Sequence, residues 1–453
     1  MVDYPKRNVT TPLISRFQAT LWSFVVVHMP QGIARVFTFA ICLAICAAPP
    51  LLAQEAPANR AAEIERARDA KVTVLQPEEV SPVERAMRDF KDRKVMERFT
   101  AGYNGLRAKL GGLVTGGGFG FGPEYFREDL LNGTMTLRAS AQMSMRGYSK
   151  IGFETGLHNL AHNRLTLDFV GSRRDYHGLN YYGPGPNSVP TGRSTYRLED
   201  TSADVLGVFR PQRFVRLGAS TGRLWVNVGP GADKKFASAE RLYSPAIAPG
   251  IDRQTNFMRT SIFAQFDYRD DPLGPKAGGN YVYQITWHND RGIGGYSFRR
   301  ADLDFQQYIP FFNKTRRFAL RAKGTFIETD AGQRAPFYLQ PILGGSDDLR
   351  GYRFFRFSDR NMVVYNAEYQ WEIFSGLEGA VFADAGKVMP KRSMLAFSDL
   401  ESDVGFGLRF NARNRTFMRF DVAFSHEGFQ VWFKFNDVFN TRRFGVSAEQ
   451  PVY

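Results

Sequence analysis

The sequence is poor in cysteine and has no apolar stretch long enough to span a bilayer as a helix. Its two cysteines, Cys42 and Cys46, lie within the longest uncharged apolar stretch, residues 36–48. That stretch is shorter than the roughly 20 residues that a transmembrane helix needs, and the mean hydropathy of the chain is −0.32. A bundle of membrane helices is therefore excluded. Both cysteines lie in a segment that is predicted below to be a cleaved signal. The mature chain would then contain no cysteine, which excludes a disulfide framework and thiol catalysis.

The N-terminal 104 residues divide into two predicted segments. Residues 1–53 have the pattern of a signal segment, with Arg35 before the apolar stretch and a cleavage position after Ala53; an N-terminal anchor helix is the alternative. Residues 54–104 are charged and poor in aromatics, and Ser81–Glu84 has the pattern of a helix-capping box. They are expected to form a short periplasmic arm of helix or coil, more a solvated linker than a binding element.

What the chain has in abundance is aromatic residues and glycine, with 40 Phe, 19 Tyr and 43 Gly. From about residue 106 apolar residues alternate with small or polar ones, most clearly at 134–143, 317–326, 404–411 and 418–425. Each run has about the ten residues with which a tilted strand crosses a membrane. A soluble sandwich also alternates, but here Arg, Lys, Asp and Gln stand in mid-strand, as they do in a wet lumen.

The connections between these runs alternate in length, as in outer-membrane barrels with short periplasmic turns and long outer loops. Short connections are predicted at 211–212, 310–313 and 414–415, and long ones at 178–194, 230–255 and 331–360. Strands are predicted at 109–115, 119–127, 134–145, 149–158, 162–173, 195–209, 213–228, 257–269, 279–289, 296–309, 315–328, 361–374, 377–388, 402–412, 416–426 and 429–438. Because open sheet edges do not occur in lipid, the fold class is all-β, a transmembrane antiparallel barrel of about sixteen strands at residues 105–439. A polar tail, residues 440–453, follows.

This architecture predicts the bacterial outer membrane as the location and its lipid as a partner. The formal net charge is +14, which by itself raises nucleic acid as a partner. The basic residues are scattered singly along the alternating runs, however, and an exported chain does not meet nucleic acid. We therefore predict no nucleic-acid partner.

Three motifs near the C-terminal strands narrow the family. The segment 344–352 reads Gly-Gly-Ser-Asp-Asp-Leu-Arg-Gly-Tyr, and Asn-Ala-Glu-Tyr at 366–369 and Phe-Ala-Asp-Ala-Gly at 382–386 follow it. Upstream, 267–272 reads Asp-Tyr-Arg-Asp-Asp-Pro and fits a strand end and a tight turn. In this order the motifs resemble the bacterial surface-antigen family, the barrel of the outer-membrane assembly and translocation superfamily (BamA/TamA-like). The resemblance covers about residues 105–439.

The resemblance implies that the longest loop folds back into the lumen. The residues that match the family's loop-tip motif are Leu349, Arg350, Gly351 and Tyr352. Arg350 would bind Glu368 and Asp384, which match the acidic strand residues of the family; a guanidinium presents a planar fork of donors suited to carboxylates. Gly351 would allow a tight tip without a Cβ clash. The alternative is an ordinary surface loop with a solvated arginine.

The two ends of the barrel carry further signals. Gly428, Val431 and Phe433 in the last strand resemble the β-signal that barrel-assembly machinery recognises; the alternative is simply an amphipathic strand. Gly116–Gly122 lacks the spacing of a phosphate loop and predicts a weak first hairpin, which suits a seam that opens between first and last strands; close packing of strands explains these glycines equally well. The aromatic segment Tyr181–Pro186 is expected at the outer interface as part of a girdle rather than as a sugar site.

The function that the resemblance implies is assistance in the insertion or translocation of proteins, or of other envelope components, at the outer membrane. Client polypeptides or a periplasmic partner are the implied partners. One departure is that residues 54–104 are too few for a polypeptide-transport-associated (POTRA) domain. We predict no enzyme, no cofactor and no metal site, because no His-Glu-x-x-His pattern and no nucleophile elbow occurs. A plugged passive channel or a surface-exposed structural barrel is the alternative.

Overall fold

The computed structural model describes residues 103–114, 116–272, 274–412 and 415–435. The predicted signal segment, nearly all of the predicted arm and the polar C-terminal tail lie outside the described residues. The chain divides into two compact units. Only residues 396–399 of the unit that also contains residues 1–81 are described, and the fold below is that of the other unit.

Sixteen strands form one antiparallel sheet in which each strand pairs with its neighbours in chain order, and two further short strands pair with each other inside the longest connection. The strands are β1 (Leu106–Gly112), β2 (Phe119–Leu130), β3 (Met135–Ser144), β4 (Ser149–Asn159), β5 (Leu165–Tyr181), β6 (Ser194–Gln212), β7 (Val215–Pro230), β8 (Thr255–Asp267), β9 (Gly278–Asp290), β10 (Phe298–Phe311), β11 (Arg316–Glu328), β12 (Ile342–Leu343), β13 (Phe357–Ser358), β14 (Asn361–Phe374), β15 (Leu377–Met389), β16 (Glu401–Ala412), β17 (Arg415–Ser425) and β18 (Gly428–Lys434). The predicted all-β barrel of sixteen antiparallel strands is confirmed.

Helices are few and short among the described residues. Two four-residue turns occur: α1 (Leu160–Asn163), in which Ala161 and His162 have left-handed dihedral angles, and the helical turn α2 (Ala239–Leu242). Single 3₁₀ turns are formed by Pro190–Gly192, Phe337–Leu339 and Arg392–Met394. No helix in the described ranges has the length and apolar character to cross a bilayer.

The alternation along the strands divides the two faces of the sheet as predicted. On β11, Phe318 and Leu320 are 44% and 38% exposed on the outer face, whereas Arg317 and Arg321 are buried on the inner face. Successive side chains of a strand point to opposite faces, so one period-two pattern supplies both the apolar wall toward lipid and the polar lining of the lumen.

The predicted strand bounds differ most in the first half of the barrel. The fifth strand, predicted at 162–173, runs from Leu165 to Tyr181, because α1 occupies its predicted start and Tyr176, Leu179 and Tyr181 continue the ladder into a buried cluster. The first strand lies three residues earlier than predicted. It ends where Gly111 adopts a φ of +140° and Leu113 turns into the same cluster.

The connection between β8 and β9, where the Asp-Tyr-Arg-Asp-Asp-Pro motif predicted a tight turn, spans residues 268–277 and is closed by the side chain of Asp270. The Asp270 carboxylate accepts hydrogen bonds from the backbone N–H groups of Asp271, Lys276 and Ala277 at 2.9–3.0 Å. Burial acts to raise the pKa of Asp270, but these backbone donors and Lys314 outweigh it and leave the pKa below its ordinary value. The carboxylate of Asp270 thus stabilises the connection.

The longest connections lie at one edge of the sheet, called the long-loop edge, although the two-residue turn between β17 and β18 lies there too. The longest, residues 329–360 between β11 and β14, is called the plug loop here. Its residues Phe337, Tyr338, Leu349 and Tyr352 are all buried, and they contact inner-face residues of the strands. The loop therefore occupies the lumen.

Two hydrophobic clusters hold the plug loop. The larger contains Phe337, Tyr338, Leu339 and Phe355 of the loop with buried residues of the long-loop edge; the strand and loop members include Leu113, Tyr148, Tyr176, Leu179, Tyr181, Tyr196, Leu198, Phe257 and Phe298. The smaller joins Leu349 and Tyr352 to Val364 and Val388.

The prediction of an interfacial girdle at Tyr181–Pro186 was wrong. Tyr181 is buried, and its ring lies 4.8 Å from that of Phe337 and 5.0 Å from that of Tyr243. Tyr182 is also buried. The aromatic residues of this segment pack with the plug loop because an inner-face cluster buries more of their apolar surface than the membrane interface would.

Candidate functional site

The side chain of Arg350 lies between two carboxylates on neighbouring strands. Its Nη1 donates to Glu368 Oε2 at 2.7 Å, and its Nε and Nη2 donate to Asp384 Oδ2 and Oδ1 at 2.7 and 2.9 Å. Arg350, Glu368 and Asp384 are each no more than 2% exposed. The guanidinium therefore makes a bidentate ion pair with one acid and a single hydrogen bond with the other, out of contact with bulk water.

The register of β14 and β15 explains why the two acids converge. Asn366 is opposite Asp384, and Glu368 is opposite Phe382, so both carboxylates lie on the inner face two positions apart along the ladder. The Arg350 guanidinium carbon is 3.3 Å from the centroid of the Phe382 ring, a cation–π contact. Asn366 Nδ2 also donates to Asp384 Oδ1 at 2.8 Å, which fixes that carboxylate.

A second arginine extends the network toward the last strands. Arg409 on β16 donates through Nη2 to Glu368 Oε1 at 2.7 Å and through Nη1 to Asp421 on β17. Gln370 donates to the same Glu368 oxygen at 2.7 Å. Glu368 thus accepts hydrogen bonds on both oxygens, as a buried carboxylate requires, and links the plug loop to the C-terminal strands.

Two aspartates before Arg350 bind cations on opposite sides of the loop. Asp347 Oδ1 accepts from Arg419 Nη2 at 2.7 Å and Asp347 Oδ2 lies 3.4 Å from Lys434 Nζ, while Asp348 pairs with Lys323 at 2.9 Å. Burial acts to raise the pKa of Asp347, but Lys434, Arg419 and Arg321 outweigh it and hold the pKa well below the ordinary value. The tip therefore carries fixed charges of both signs.

At Gly351 a Cβ would clash with the neighbouring strands rather than within the turn itself. The φ of Gly351 lies outside the left-handed region, so the turn itself does not demand glycine. A Cβ placed there would approach Asp403 Cβ to 2.5 Å and Ser425 Cβ to 2.9 Å. The loop tip thus lies directly against β16 and β17, and Ser425 Oγ donates to the Gly351 carbonyl at 2.9 Å.

Leu349 and Tyr352 complete the predicted tip. Leu349 is fully buried in the smaller cluster. The Tyr352 hydroxyl donates to Glu401 Oε2 at 2.8 Å and lies 3.0 Å from His426 Nδ1. Burial and the adjacent Glu401 raise the pKa of Tyr352 above its ordinary value, so the phenol stays protonated and can donate.

The three predicted β-signal residues lie apart from the tip. Gly428 begins β18 with a φ of +115°, and Val431 and Phe433 are 51% and 55% exposed on the outer face. The neighbouring Trp432, which no sequence motif singled out, faces inward, and its Nε1 donates to the Arg350 carbonyl at 2.6 Å. The last strand thus contacts the loop through Trp432.

Comparison with known proteins agrees with this geometry. Residues 221–437 match the model of the Omp85 superfamily domain. The chain therefore contains an Omp85 superfamily domain in its C-terminal half. The resemblance inferred from the motifs is therefore confirmed, and the protein is a barrel of the bacterial outer membrane.

Two solved structures share the fold of this Omp85 barrel. The crystal structure of BamA from Haemophilus ducreyi lacking POTRA domains 1–3 is 13% identical with a TM-score of 0.55, over 73% of this chain and 70% of that one. CdiB from Escherichia coli is 14% identical with a TM-score of 0.50, over 73% of this chain and 62% of that one. At such identities the likeness concerns the fold, and this chain spans less than two thirds of CdiB.

Several residues of the Omp85 site were missed at the sequence level. They are Arg409, Asp421, Arg419, Lys323 and Trp432. The available signal was their position: each stands on the inner-facing side of an alternating strand, where a lone charge or an indole N–H needs a partner. The described residues contain no group of three or more His, Cys, Asp or Glu placed to hold a metal ion.

Proposed function

We propose that this Omp85 barrel assists the insertion or translocation of polypeptides, or of other envelope components, at the outer membrane, and that it acts at the seam between β1 and β18. The observation that carries the proposal is the attachment of the plug-loop tip to the strands beside the seam. Arg350, Gly351 and Asp347 bind Trp432, Ser425 and Lys434 respectively. A loop held in this way can couple the lumen to the seam. The proposal contains no catalytic step.

The strands at the seam support the proposal. β1 and β18 have seven residues each, whereas β2 and β17 have twelve and eleven. Within the described ranges, β1 forms its ladder with β2 and β18 forms its ladder with β17. Across the seam, the ring of Phe119 at the start of β2 meets that of Phe435, which follows β18, edge to face at 5.7 Å. Two short end strands can form few backbone hydrogen bonds with each other, so a seam between them should open at lower cost than an internal ladder.

The glycines of the first hairpin serve two purposes. Some weaken the hairpin, and others allow neighbouring strands to pack closely. Gly111 has a φ of +140° and open space where a Cβ would lie, so it relaxes the strand. A Cβ at Gly122 would overlap the Ala141 carbonyl, so Gly122 serves close packing. Gly118, whose φ is +80° and whose nearest Cβ neighbour would be an ordinary 3.6 Å contact with Arg146, supports a weak hairpin as Gly111 does.

A passive channel closed by the plug loop is the alternative function. The buried plug loop favours it as much as it favours an assembly role, because both need a closed resting barrel. Deletion of residues 331–360 should raise conductance in planar bilayers under either function. Conductance alone therefore does not separate them, and the seam must be tested directly.

A reversible bridge across the seam tests the proposal. In a background with Cys42→Ala and Cys46→Ala, Phe119→Cys and Phe435→Cys are joined by a short bis-thiosulfonate reagent, and the protein is placed in liposomes. The probe is a urea-unfolded eight-stranded barrel, whose folding is followed by its gel shift. We expect acceleration over protein-free liposomes, its loss on bridging and its return on reduction, with conductance unchanged.

The matched control is a bridge within an internal ladder. Thr221 and Thr260 are directly opposed on β7 and β8, with their hydroxyls 3.4 Å apart, and their cysteine pair should bridge without effect on folding of the probe. Equal acceleration with the seam bridged and open would contradict the seam as the working site. No acceleration by the unbridged protein, together with a channel on loop deletion, would favour the passive channel.

A further inference from the structure

The outer end of the seam is bordered by two hairpin connections. On one side is the connection between β1 and β2, which contains Leu113, Val114 and Gly116; on the other is the two-residue turn His426–Glu427 between β17 and β18. Both lie at the long-loop edge. One short segment of the plug loop, Tyr352–Arg356, contacts both of them, although it is joined to neither in sequence.

Arg356 binds the β17–β18 turn. Its Nε and Nη2 each lie 2.8 Å from Glu427 Oε1, and Nε is 3.0 Å from Oε2. Arg356 is one of the largest fully buried side chains in the described structure. At the other end of the same loop segment, the Tyr352 hydroxyl lies 3.0 Å from His426 Nδ1. Consecutive residues of the turn are thus each held by one loop side chain.

Phe354 and Phe355 bind the β1–β2 connection. A Cβ at Gly116 would overlap the Phe354 ring, so the ring lies directly on the backbone of that glycine, whose φ is +82°. Phe355 belongs to the same buried cluster as Leu113, and Phe354 and Val114 pack against that cluster. The contact on this side is apolar, whereas the contact on the β18 side is ionic.

The backbone at Phe355 separates the two contacts. Phe355 has a φ of +60°, a conformation that bulky L-residues rarely adopt. The strained residue lies between Phe354, which contacts the β1 side, and Arg356, which contacts the β18 side. Strain at a non-glycine residue persists only where surrounding contacts enforce it, and here the contacts are those with the two hairpins.

Arg356 is also fixed by the connection between β5 and β6. Its Nη1 donates to Ser188 Oγ at 2.8 Å and its Nη2 to the Ser188 carbonyl at 2.6 Å. Its guanidinium carbon lies 5.1 Å from the Tyr182 ring centroid. The β5–β6 connection therefore positions the arginine, so the ion pair with Glu427 does not depend on the seam hairpin alone.

We propose that Tyr352–Arg356 is a clasp across the outer end of the seam, and that Arg356 is a positioning residue that keeps the seam closed at rest. The inference deepens the proposed function and rests on it, since it regulates the seam at which that function acts. The contacts of the clasp differ from the ion pairs that Arg350 makes with Glu368 and Asp384. Because one five-residue segment binds both hairpins, release of either contact should loosen both.

Hydrogen–deuterium exchange of the full chain in lipid nanodiscs tests the clasp. We expect Arg356→Gln to speed exchange roughly tenfold in peptides that cover 425–434, and to speed it also in peptides that cover 113–122. Phe354→Ala should also speed exchange in both regions, but the larger increase should be in peptides that cover 113–122. Peptides of the internal β6–β7 hairpin, 205–220, should not change in either variant.

Arg299→Gln is the matched control, since Arg299 pairs with Glu328 at the long-loop edge but away from the seam and is exposed. Glu427→Gln provides the same test from the turn if Arg356→Gln does not fold. Unchanged exchange in both hairpins, or an effect of each variant on its own hairpin alone, overturns the clasp. Faster exchange with unchanged insertion of the unfolded barrel probe supports the clasp and contradicts the proposed function.

Discussion

At its base the plug loop places Phe337, Tyr338 and Leu339 in a cluster of aromatic and aliphatic side chains. At its tip, further along the chain, Asp347, Asp348 and Arg350 pair with charged residues of the barrel wall. Both parts are buried in the same lumen. One is held by the removal of apolar surface from water and the other by directed ion pairs.

The two kinds of contact have different roles: apolar burial holds the plug loop in the lumen, and the ion pairs fix its position there. Burial of apolar surface stabilises without a preferred direction, so the base can shift and repack with little loss. A buried ion pair adds little net stability beyond its desolvation cost, but it penalises any arrangement that leaves one partner unpaired. The base therefore keeps the loop inside the barrel, and the tip sets the register in which it sits against β14–β18.

The largest effect is expected from Arg350→Ala. It leaves Glu368 and Asp384 buried without the guanidinium, which should lower the free energy of unfolding by about 3–5 kcal/mol. Denaturant unfolding in micelles measures this loss. Limited trypsin digestion should show faster cleavage after Arg353, near the tip, while cleavage after Arg334, at the base, stays slow.

Arg299→Ala is the control for Arg350→Ala, because an exposed ion pair contributes about 0–1 kcal/mol. If Arg350→Ala leaves the tip as resistant to trypsin as wild type, the tip is not held by this network. The proposed role of Arg350 would then be wrong.

Phe337→Ala should have the next largest effect and the reverse pattern of digestion. Loss of a buried phenylalanine costs about 3–5 kcal/mol, with the smaller values where the site can collapse, and we expect the lower end because the cluster is large and mixed. Cleavage after Arg334 should rise while cleavage after Arg353 stays slow. Phe337→Leu should recover most of the stability, and simultaneous release of base and tip would show that the two regions are one cooperative unit.

Tyr352→Phe should act on the tip with a moderate effect. It removes the donor to Glu401 Oε2 and the contact with His426, and because Glu401 is only half-buried we expect a loss of about 1 kcal/mol, as for a typical hydrogen bond. Unfolding in denaturant measures the change. Tyr338→Phe, which removes the hydroxyl contact with Thr255 at the base, is the matched variant. A larger loss of stability in Tyr338→Phe would contradict the claim that polar contacts hold the tip and apolar contacts hold the base.

The smallest effect is expected from Asp403→Asn. Asp403 lies opposite Asp384 across β15 and β16, but the hydrogen bonds of the Arg350 side chain in the described structure go to Asp384 and Glu368. The change should alter stability by less than about 1 kcal/mol, whereas Asp384→Asn should lose most of what Arg350→Ala loses. Equal losses in the same unfolding experiment would mean that the two aspartates share the arginine.

The sequence could predict what depends on periodicity and on motifs. Alternation of Phe318 and Leu320 with Arg317 and Arg321 is a local pattern, and it indicated both faces of β11. The loop motif around Arg350 indicated the acidic strand residues that it contacts. Strand count and connection lengths followed from the same local signals.

Partners that depend on register could not be predicted. Arg409 meets Glu368 and Asp421 because β14, β15, β16 and β17 align to within a residue, and a one-residue slip would send each side chain to the other face. Tyr181 looked like an interfacial aromatic, since nothing near it in sequence shows that Phe337 lies against it. Gly351 looked like a turn residue until the approach of Asp403 was visible.

The placement of the Arg350 partners has a consequence for the order in which the barrel assembles. Glu368 and Asp384 follow the loop in the chain, and Trp432 lies 82 residues after Arg350. The tip cannot dock when it emerges; it must wait until β14 and β15 have paired, and its last contacts wait for β18. A chain arrested before β15 would therefore carry the loop undocked, and the time at which the tip becomes protected from protease would report the completion of the C-terminal strands.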